Sequence, residues 1–395
     1  MHSSSRSKEN SLSHRHLYSR QNIDQDDIDA VVNVMQSDYL TQGPMTEQFE
    51  SVIATYTGAR HAIAVNSATS ALHLSMLADG IGENDLVWTT PNTFVATANS
   101  ARMCGAKVRF IDINPRTLNL CPEKLETALK VAAQKNELPK VIVFVHFGGN
   151  PTGFNDVAHI AESFGISLIE DGSHALGSSI SGVPIGACSR SKATIFSLHA
   201  VKPITAGEGG VVTTNDDQFA ERLRLLRSHG VTRNPERFKN ANPKNILPRC
   251  YYEQLDLGFN YRMSDIHAAL GHSQTKKIDT FANHRRELSE LYEKQFDKTD
   301  FEVQFHEPEV KSARHLFVIK FPTSQTRDQV TQRFVEAQIG FNFHYIPVYR
   351  HPYYKGSFDQ SCTHMEDYYD RGLTLPLHTF LDATDVRHIA EIVKT

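Results

Sequence analysis

Between His61 and Asp171 the chain alternates short runs that are apolar at nearly every position with longer stretches of helical spacing, and this alternation constrains the fold more than any other feature. HAIAV leads into SATSALHLSMLADG, LVWTT into TFVATANSARMCG, KVRFIDI follows, VIVFVHF leads into NDVAHIAESFG, and ISLIED closes the series. A strand with one wet face alternates apolar and polar residues. Runs that are apolar throughout need cover on both faces, which is the situation of strands in a parallel sheet flanked by helices. The expected fold class is therefore α/β, with a mostly parallel central sheet and helices on both faces. Such a sheet takes its ligand at the carboxyl ends of its strands. The residues falling there are Ser67, Ala68, Thr69, Phe94, His146, Asp171 and His174.

The flanking segments complete the organisation. DQDDIDAVVNVM, from Asp24 to Met35, has acidic residues first and apolar residues at helical spacing afterwards, so it reads as an amphipathic helix. Gly43 and Pro44 mark a turn before a second helix through Phe49, Val52 and Ile53. After the series comes a strand ending at Ser197, a turn with Lys202, a glycine-rich bend and a second strand from Val211 to Thr214. A helix from Asp217 to about Arg227 leads to an Asn-, Pro- and Lys-rich loop, 231–250, expected to be mobile or part of an interface. LGFNYRMSDIHAALGHSQ then opens a long helix with Ile266, Ala269 and Leu270 on one face. Beyond it HLFVIKF, DQVTQRFVEAQ, FNFHYIPVY and DATDVRHIAEIVKT suggest a smaller α+β unit. The boundaries are a flexible arm at 1–17, a large domain at 18–280 and a small C-terminal domain at 281–395.

Several function classes are excluded early. A net charge of −4 with no Lys/Arg run interleaved with aromatics offers no field for nucleic acid. Five scattered cysteines, none in a C-x-x-C pair, suggest reduced thiols in a cytoplasmic protein, with neither a disulfide framework nor a zinc site. Twenty histidines include no H-E-x-x-H helix, so no metal is expected. The N-terminal residues lack an apolar core for a signal peptide, and no run is long enough to span a membrane.

The chemistry lies in a few residues. Lys202 sits between Val201 and Pro203 in a mostly uncharged segment, and the proline biases its backbone towards an extended form that can turn the amine inward. An amine in poor solvent loses part of its proton and becomes a nucleophile towards carbonyls. Taken alone, a solvated loop lysine is the commoner case, so the neighbours have to decide. NSATSAL, residues 66–72, follows a strand and opens a helix, where free amides and small hydroxyls make either an ordinary N-cap or a phosphate cradle. Asp171 ends the strand SLIED and can cap the next turn or hold a pyridine nitrogen protonated. Phe94 can pack in a core or lie on a flat cofactor. Phosphate anchor, nitrogen partner, aromatic plate and inward lysine beside Ser197 are together the parts that pyridoxal 5'-phosphate needs.

At this point the chain resembles the pyridoxal-phosphate-dependent nucleotide-sugar aminotransferases of DegT type and fold type I, from about Tyr18 to the C-terminus. The resemblance rests on LTQGPMTEQFE, NSATSALHL, TPNTFVATANS, EDGSHALGS, FSLHAVKPITAGEGGVVTTND, RSHG and GFNYRMSDIHAALG, in that order. HAVKPIT, SHALGS and FHYIPVY are most similar to the pseudaminic-acid branch of that family. The resemblance implies that Lys202 carries the cofactor, that Asp171 meets the pyridinium, and that Ser197 and the Ser67, Ala68, Thr69 turn meet the phosphate. It puts Phe94 on the ring face and His174 on the ring-hydroxyl side, with Asn260 and Arg262 reaching the partner subunit's cofactor in a homodimer with composite sites. Substrate contacts are expected from Tyr18, from Asp38, Tyr39, Leu40 and Thr41, and from His344 and Tyr345. The implied reaction takes an amino group from L-glutamate to C4 of a UDP-linked 4-keto-6-deoxy sugar. A perosamine or 4-amino-4-deoxy-arabinose type of acceptor is the alternative, followed by a non-catalytic sugar-binding member of the fold; related dehydratases carry histidine where this chain has Lys202. Two departures from the family pattern, NPTGFND at Asn150 to Asp156 and the long 231–250 loop, could reshape the sugar pocket, and neither touches the cofactor parts.

Overall fold

A computed structural model describes residues 16–240, 250–356 and 362–395 of the 395. Two helices, α1 (Gln25–Met35) and α2 (Pro44–Thr57), precede the sheet. Asp24 caps α1 in a reciprocal box with Asp27, which accounts for the acidic start of that segment. The series follows as β1 (His61–Val65), α3 (Ala68–Ala78), β2 (Leu86–Thr89), α4 (Val95–Met103), β3 (Lys107–Phe110), α5 (Pro122–Gln134), β4 (Val141–Val145), α6 (Phe154–Ser163) and β5 (Ser167–Asp171). A short hairpin, β6 (Ser179–Ile180) and β7 (Val183–Pro184), leads to β8 (Ala193–Ser197) and β9 (Gly210–Thr214).

The seven-stranded sheet has the order β1-β9-β8-β5-β4-β2-β3. β9 runs antiparallel to both of its neighbours, whereas the pairs from β8 across to β3 are parallel. The exception follows from chain length: the link from β8 to β9 holds no helix, and a parallel return needs a crossover that only a longer segment supplies. Residue parity explains the continuous apolar runs. Ile142 and Phe144 enter one core with Trp88, Phe154 and Phe196, while Val141 and Val143 enter a second core with Ile63, Leu72 and Ile195 on the opposite face.

After α7 (Asp217–Arg227), the 231–250 segment is tied at its start. Val231–Thr232 pairs antiparallel with Glu253–Gln254, and the Glu253 carboxylate accepts from the amides of Lys239 and Asn240. The remainder of that loop, 241–249, lies outside the described residues, as does the arm up to residue 15. Residues 16 and 17 are already part of the fold: His16 accepts from the Gly340 amide, and a Cβ on Gly340 would lie 2.6 Å from the nitrogen of Tyr18. The helix opened by SDIHAALG stops earlier than its pattern suggests. It divides into α8 (Asp265–Thr275) and α9 (Ile278–Phe296). Ile278 packs into the large core and Leu288, Tyr292 and Phe296 into the small one, so α9 straddles the expected 280/281 boundary. The C-terminal unit sets helices Ser324–Glu336 and Ala383–Lys394 with α9 around an antiparallel sheet of Glu302–Val303, Phe317–Lys320 and Gly372–Leu375. No helix among the described residues is long and apolar enough to cross a membrane.

Candidate active site

A cavity of about 420 Å³ opens at the carboxyl ends of β4, β5 and β8, which contribute Val145, Asp171 and Ser197 to its wall. That size is within the range of small-molecule and cofactor sites. The start of α3 contributes Ser67, Ala68 and Thr69, the loop after β8 contributes Lys202, and the C-terminal unit supplies His315, Asn342, His344 and Tyr345.

At one end the cavity is floored by a helix N-terminus. Ser67 Oγ accepts from the Ser70 amide at 3.1 Å, so the capping bond exists. Ala68 and Thr69, in the first turn, have no carbonyl a turn earlier to bond, and their amides remain available to an anion. β9 passes close beneath: a Cβ on Gly210 would lie 2.5 Å from Ser67 O and 2.6 Å from Ala68 N, so only glycine allows the approach. Gly210 pairs with Ser197 across the ladder, which brings that hydroxyl beside the same turn.

Asp171 is held from both sides. Its Oδ2 accepts from Thr97 Oγ1 at 2.7 Å and its Oδ1 from the Ser173 amide at 3.1 Å. Thr97 has one hydroxyl proton and gives it to Asp171, so the 2.7 Å contact between the two threonines makes Thr93 the donor. The carboxylate is 5% exposed and aligned before anything binds. Phe94 stands opposite as the residue before α4, with 60% of its surface uncovered and its ring 6.3 Å from that of Tyr345. A phenylalanine so bare lines a mouth and is not packed in a core.

Lys202 is half-buried in the cavity wall, facing residues of the C-terminal unit. Burial lowers its pKa to about 8, against a smaller opposing pull from Asp171. The histidines around it are kept neutral chiefly by burial, well below their ordinary range for His174 and His315 and to about 3 for His344. Hydrogen bonds assign their protons. The Gly148 amide donates to His174 Nδ1 at 3.2 Å, which leaves the proton on Nε2, 3.2 Å from the Tyr345 hydroxyl. His344 has the opposite tautomer: Asn342 Nδ2 donates to its Nε2 at 3.4 Å, and its Nδ1 donates to Thr374 Oγ1 at 2.8 Å.

The expected residues divide into two groups. Ser67, Ala68, Thr69, Phe94, Asp171, His174, Ser197, Lys202, Tyr18, His344 and Tyr345 converge on the cavity. Asp38, Tyr39, Leu40, Thr41, Asn260 and Arg262 do not line it. Within that group Thr41 bridges to Ser264 and the Asp265 amide donates to Leu40 O at 3.0 Å, so the 38–41 turn lies against the start of α8, while Asn260 and Arg262 bridge to Ser228 and Val65. His146 was expected at the strand ends and is absent from the cavity. Its Nε2 bonds the buried Glu170 carboxylate at 2.7 Å, and its ring packs on Phe144 and Phe154. The NPTGFND turn does not line the pocket: Asn150 Nδ2 donates to Phe305 O, and Asn119 Nδ2 donates to Asn150 O and Thr152 O. Thr93, Thr97, Ser173, His199, Glu208, His315 and Asn342 are the polar lining residues that the sequence did not single out. Thr93 and Thr97 were detectable as hydroxyls one helical turn apart after a strand; His315 has no local signal.

Residues 21–394 match the DegT/DnrJ/EryC1/StrS aminotransferase family. The chain is 37% identical over 378 residues, 95% of each sequence, to the UDP-4-amino-4,6-dideoxy-N-acetyl-beta-L-altrosamine transaminase of Campylobacter jejuni subsp. jejuni serotype O:23/36 (strain 81-176). Its structure is similar to that of Helicobacter pylori PseC, an aminotransferase involved in the biosynthesis of pseudoaminic acid, with a TM-score of 0.86 and 31% identity over 96% of this chain and 98% of that one. It is also similar to the PLP-form of Spr1654 from Streptococcus pneumoniae, with a TM-score of 0.84 and 26% identity over 95% and 97% of the two chains.

Proposed function

The chain belongs to the DegT/DnrJ/EryC1/StrS aminotransferase family, and on that premise we propose that it moves an amino group from L-glutamate to C4 of a 4-keto-6-deoxy nucleotide sugar. The acceptor is UDP-2-acetamido-2,6-dideoxy-β-L-arabino-hex-4-ulose, and the product serves nucleotide-sugar and surface-glycan (pseudaminic acid) biosynthesis. One observation carries this reading: Lys202, the buried Asp171 and a helix N-terminus closed by Gly210 face a single cavity.

Those groups fit pyridoxal 5'-phosphate, which when bound supplies an electron sink for the substrate carbon. The amides of Ala68 and Thr69 with the hydroxyls of Ser67 and Ser197 bind the phosphate. Asp171, its oxygens fixed by Thr97 and Ser173, holds the ring nitrogen protonated. Phe94 covers a ring face, and His174 orients the ring-hydroxyl side. Lys202 would anchor the cofactor through Nζ, and its amine is the base that would hold the proton taken from the donor α-carbon. With a pKa of about 8 the amine is partly neutral near neutral pH, where a base and its conjugate acid both have to act. Holding it beside the reacting carbon is worth several kcal/mol, on the order of 7 for a well-aligned group.

The working unit is a homodimer with composite sites. This is supported by the 38–41 turn, which bridges to Ser264 just after Asn260 and Arg262 in the chain and on which Tyr39 and Leu40 are 57% and 48% exposed. From there Asn260 and Arg262 serve a neighbour's cofactor phosphate and Tyr39 and Thr41 its sugar. The large domain, 18–280, binds the cofactor, and the small domain, 281–395, closes over it. The enzyme works in the cytoplasm, consistent with five free cysteines.

Borohydride reduction of the cofactor-loaded protein followed by peptide mapping tests the anchor. The phosphopyridoxyl mass is expected on the peptide holding Lys202, and label on another lysine overturns the assignment.

A further inference from the structure

A second cavity, of about 10 Å³, shares Lys202 and His315 with the first and is walled by Ser19, Asn22, Gln274, Arg285 and Thr379 among others. It has room for a single small particle, a water molecule or a monatomic ion. Arg285, from α9, is its most unusual wall. The residue is 5% exposed, its Nε donates to Ala313 O at 3.2 Å, and its Nη2 has no hydrogen-bond partner. Among the described residues no carboxylate pairs with it, and the adjacent charge, Arg286, has the same sign. Burial pulls its pKa only to about 10, so the guanidinium remains cationic at neutral pH.

Arg20 and Lys202 add two further cationic side chains to the wall, and Ser19, Asn22 and Gln274 are already committed. Ser19 Oγ donates to Val201 O, and Gln274 Nε2 serves Asn22 O and Asp27. Asn22 Nδ2 donates to Thr379 Oγ1 at 3.1 Å, which leaves the Thr379 proton free to donate elsewhere. The cavity is therefore bordered by a buried cation without a counter-charge and by a hydroxyl with a proton to give. A buried charge left uncompensated is costly, and water satisfies the N–H without neutralising the charge.

We propose that this cavity binds a monatomic inorganic anion of chloride size, held by Arg285 Nη2 and the Thr379 hydroxyl. Its dimensions exclude tetrahedral oxyanions. The bound ion joins the N-terminal segment, the Lys202 loop, α9 and the 378–379 turn of the small domain, and so stiffens the wall behind the lysine. The site does not depend on which sugar is aminated.

The test uses cofactor-loaded protein with sodium chloride as the probe and sodium gluconate at equal ionic strength as the control. Chloride is expected to raise Tm by at least about 2 °C over gluconate. It is also expected to broaden the ³⁵Cl resonance in a way that sulfate does not reverse. Arg285→Met should abolish both effects, and Thr379→Val should weaken chloride binding by about tenfold. Equal Tm values with no broadening in the wild type mean water only and overturn the proposal without any variant. Full retention of the chloride response in either variant, or its reversal by sulfate, overturns it as well.

Discussion

The hydroxyl of Tyr345 meets Nε2 of His174 at 3.2 Å, joining the small domain to the turn after β5 across the mouth of the cavity. With Nδ1 of His174 already accepting from Gly148, the Nε2 proton has this one partner, and Tyr345, its pKa raised by burial, remains a phenol with its own proton to donate. Tyr345→Phe leaves a buried N–H unpaired and should cost about 1–3 kcal/mol in denaturant unfolding of the apoprotein. A double-mutant cycle with His174→Asn should give a coupling of about 0.5–3 kcal/mol. Coupling near zero would remove the bond from the account.

Acid should destabilise this protein early. His174, His315 and His344 are neutral in the fold, the last with a pKa of about 3, whereas in the unfolded chain they take up protons near 6.5. Below pH 6.5 the unfolded state therefore binds more protons, and stability falls as pH drops until the folded pKa is reached. Each such histidine contributes a slope of about 1.4 kcal/mol per pH unit. His344→Gln should remove one such slope between pH 6 and 4 while unfolding above pH 7.5 keeps its pH dependence. An unchanged acid slope would mean that His344 is charged in the fold.

The sheet was legible because both of its faces are apolar, which turns strand parity into the uninterrupted runs of β4, β8 and β9. The same parity, applied one step further, would have excluded His146: Val145 pairs with Asp171 on the cavity side, so the next residue has to turn away, towards Glu170. Lys202 and Asp171 were legible because their chemistry is unusual for their setting. His315 was not, since its position is fixed by a main-chain bond to Gly148, in the turn after β4, and nothing in HLFVIK marks it. The split of the long helix at Lys276 and Lys277 was equally silent. Lys277 leaves the helical register to pair with Asp24, the cap of α1, and with Asp27 in its first turn, contacts separated by some 250 residues of sequence.

Composite sites predict complementation. Lys202→Ala and Asn260→Ala should each be inactive as homodimers, the first for lack of the amine and the second for a weakened phosphate site. If Asn260 serves the neighbouring cavity, a hybrid dimer contains one site with both defects and one with neither. Mixed and exchanged subunits should then recover about a quarter of wild-type turnover at equal input, since about half the dimers are hybrid and each has one intact site of two. No recovery after subunit exchange is verified by mass spectrometry would mean that each site is built within one chain.

The part of the cavity wall that one chain supplies matches the proposed acceptor. Tyr18, His344 and Tyr345 line it, and the described lining includes no arginine. A carboxylated sugar calls for a bidentate guanidinium, whereas a 6-deoxy sugar with a neutral N-acetyl group is matched by aromatic faces and single hydrogen bonds. Such a wall discriminates epimers by leaving a buried polar group unpaired with the wrong one. Turnover of the L-arabino 4-keto UDP sugar with L-glutamate should exceed that of the D-xylo epimer by at least about tenfold, the effect of one lost hydrogen bond. Product masses would verify amination in each case. Tyr18→Phe should lower that ratio more than it lowers the rate of the half-reaction with glutamate, because the loss falls on the sugar alone. Equal or reversed epimer preference would move the acceptor to the perosamine or 4-amino-4-deoxy-arabinose type and leave the chemistry at Lys202 as it stands.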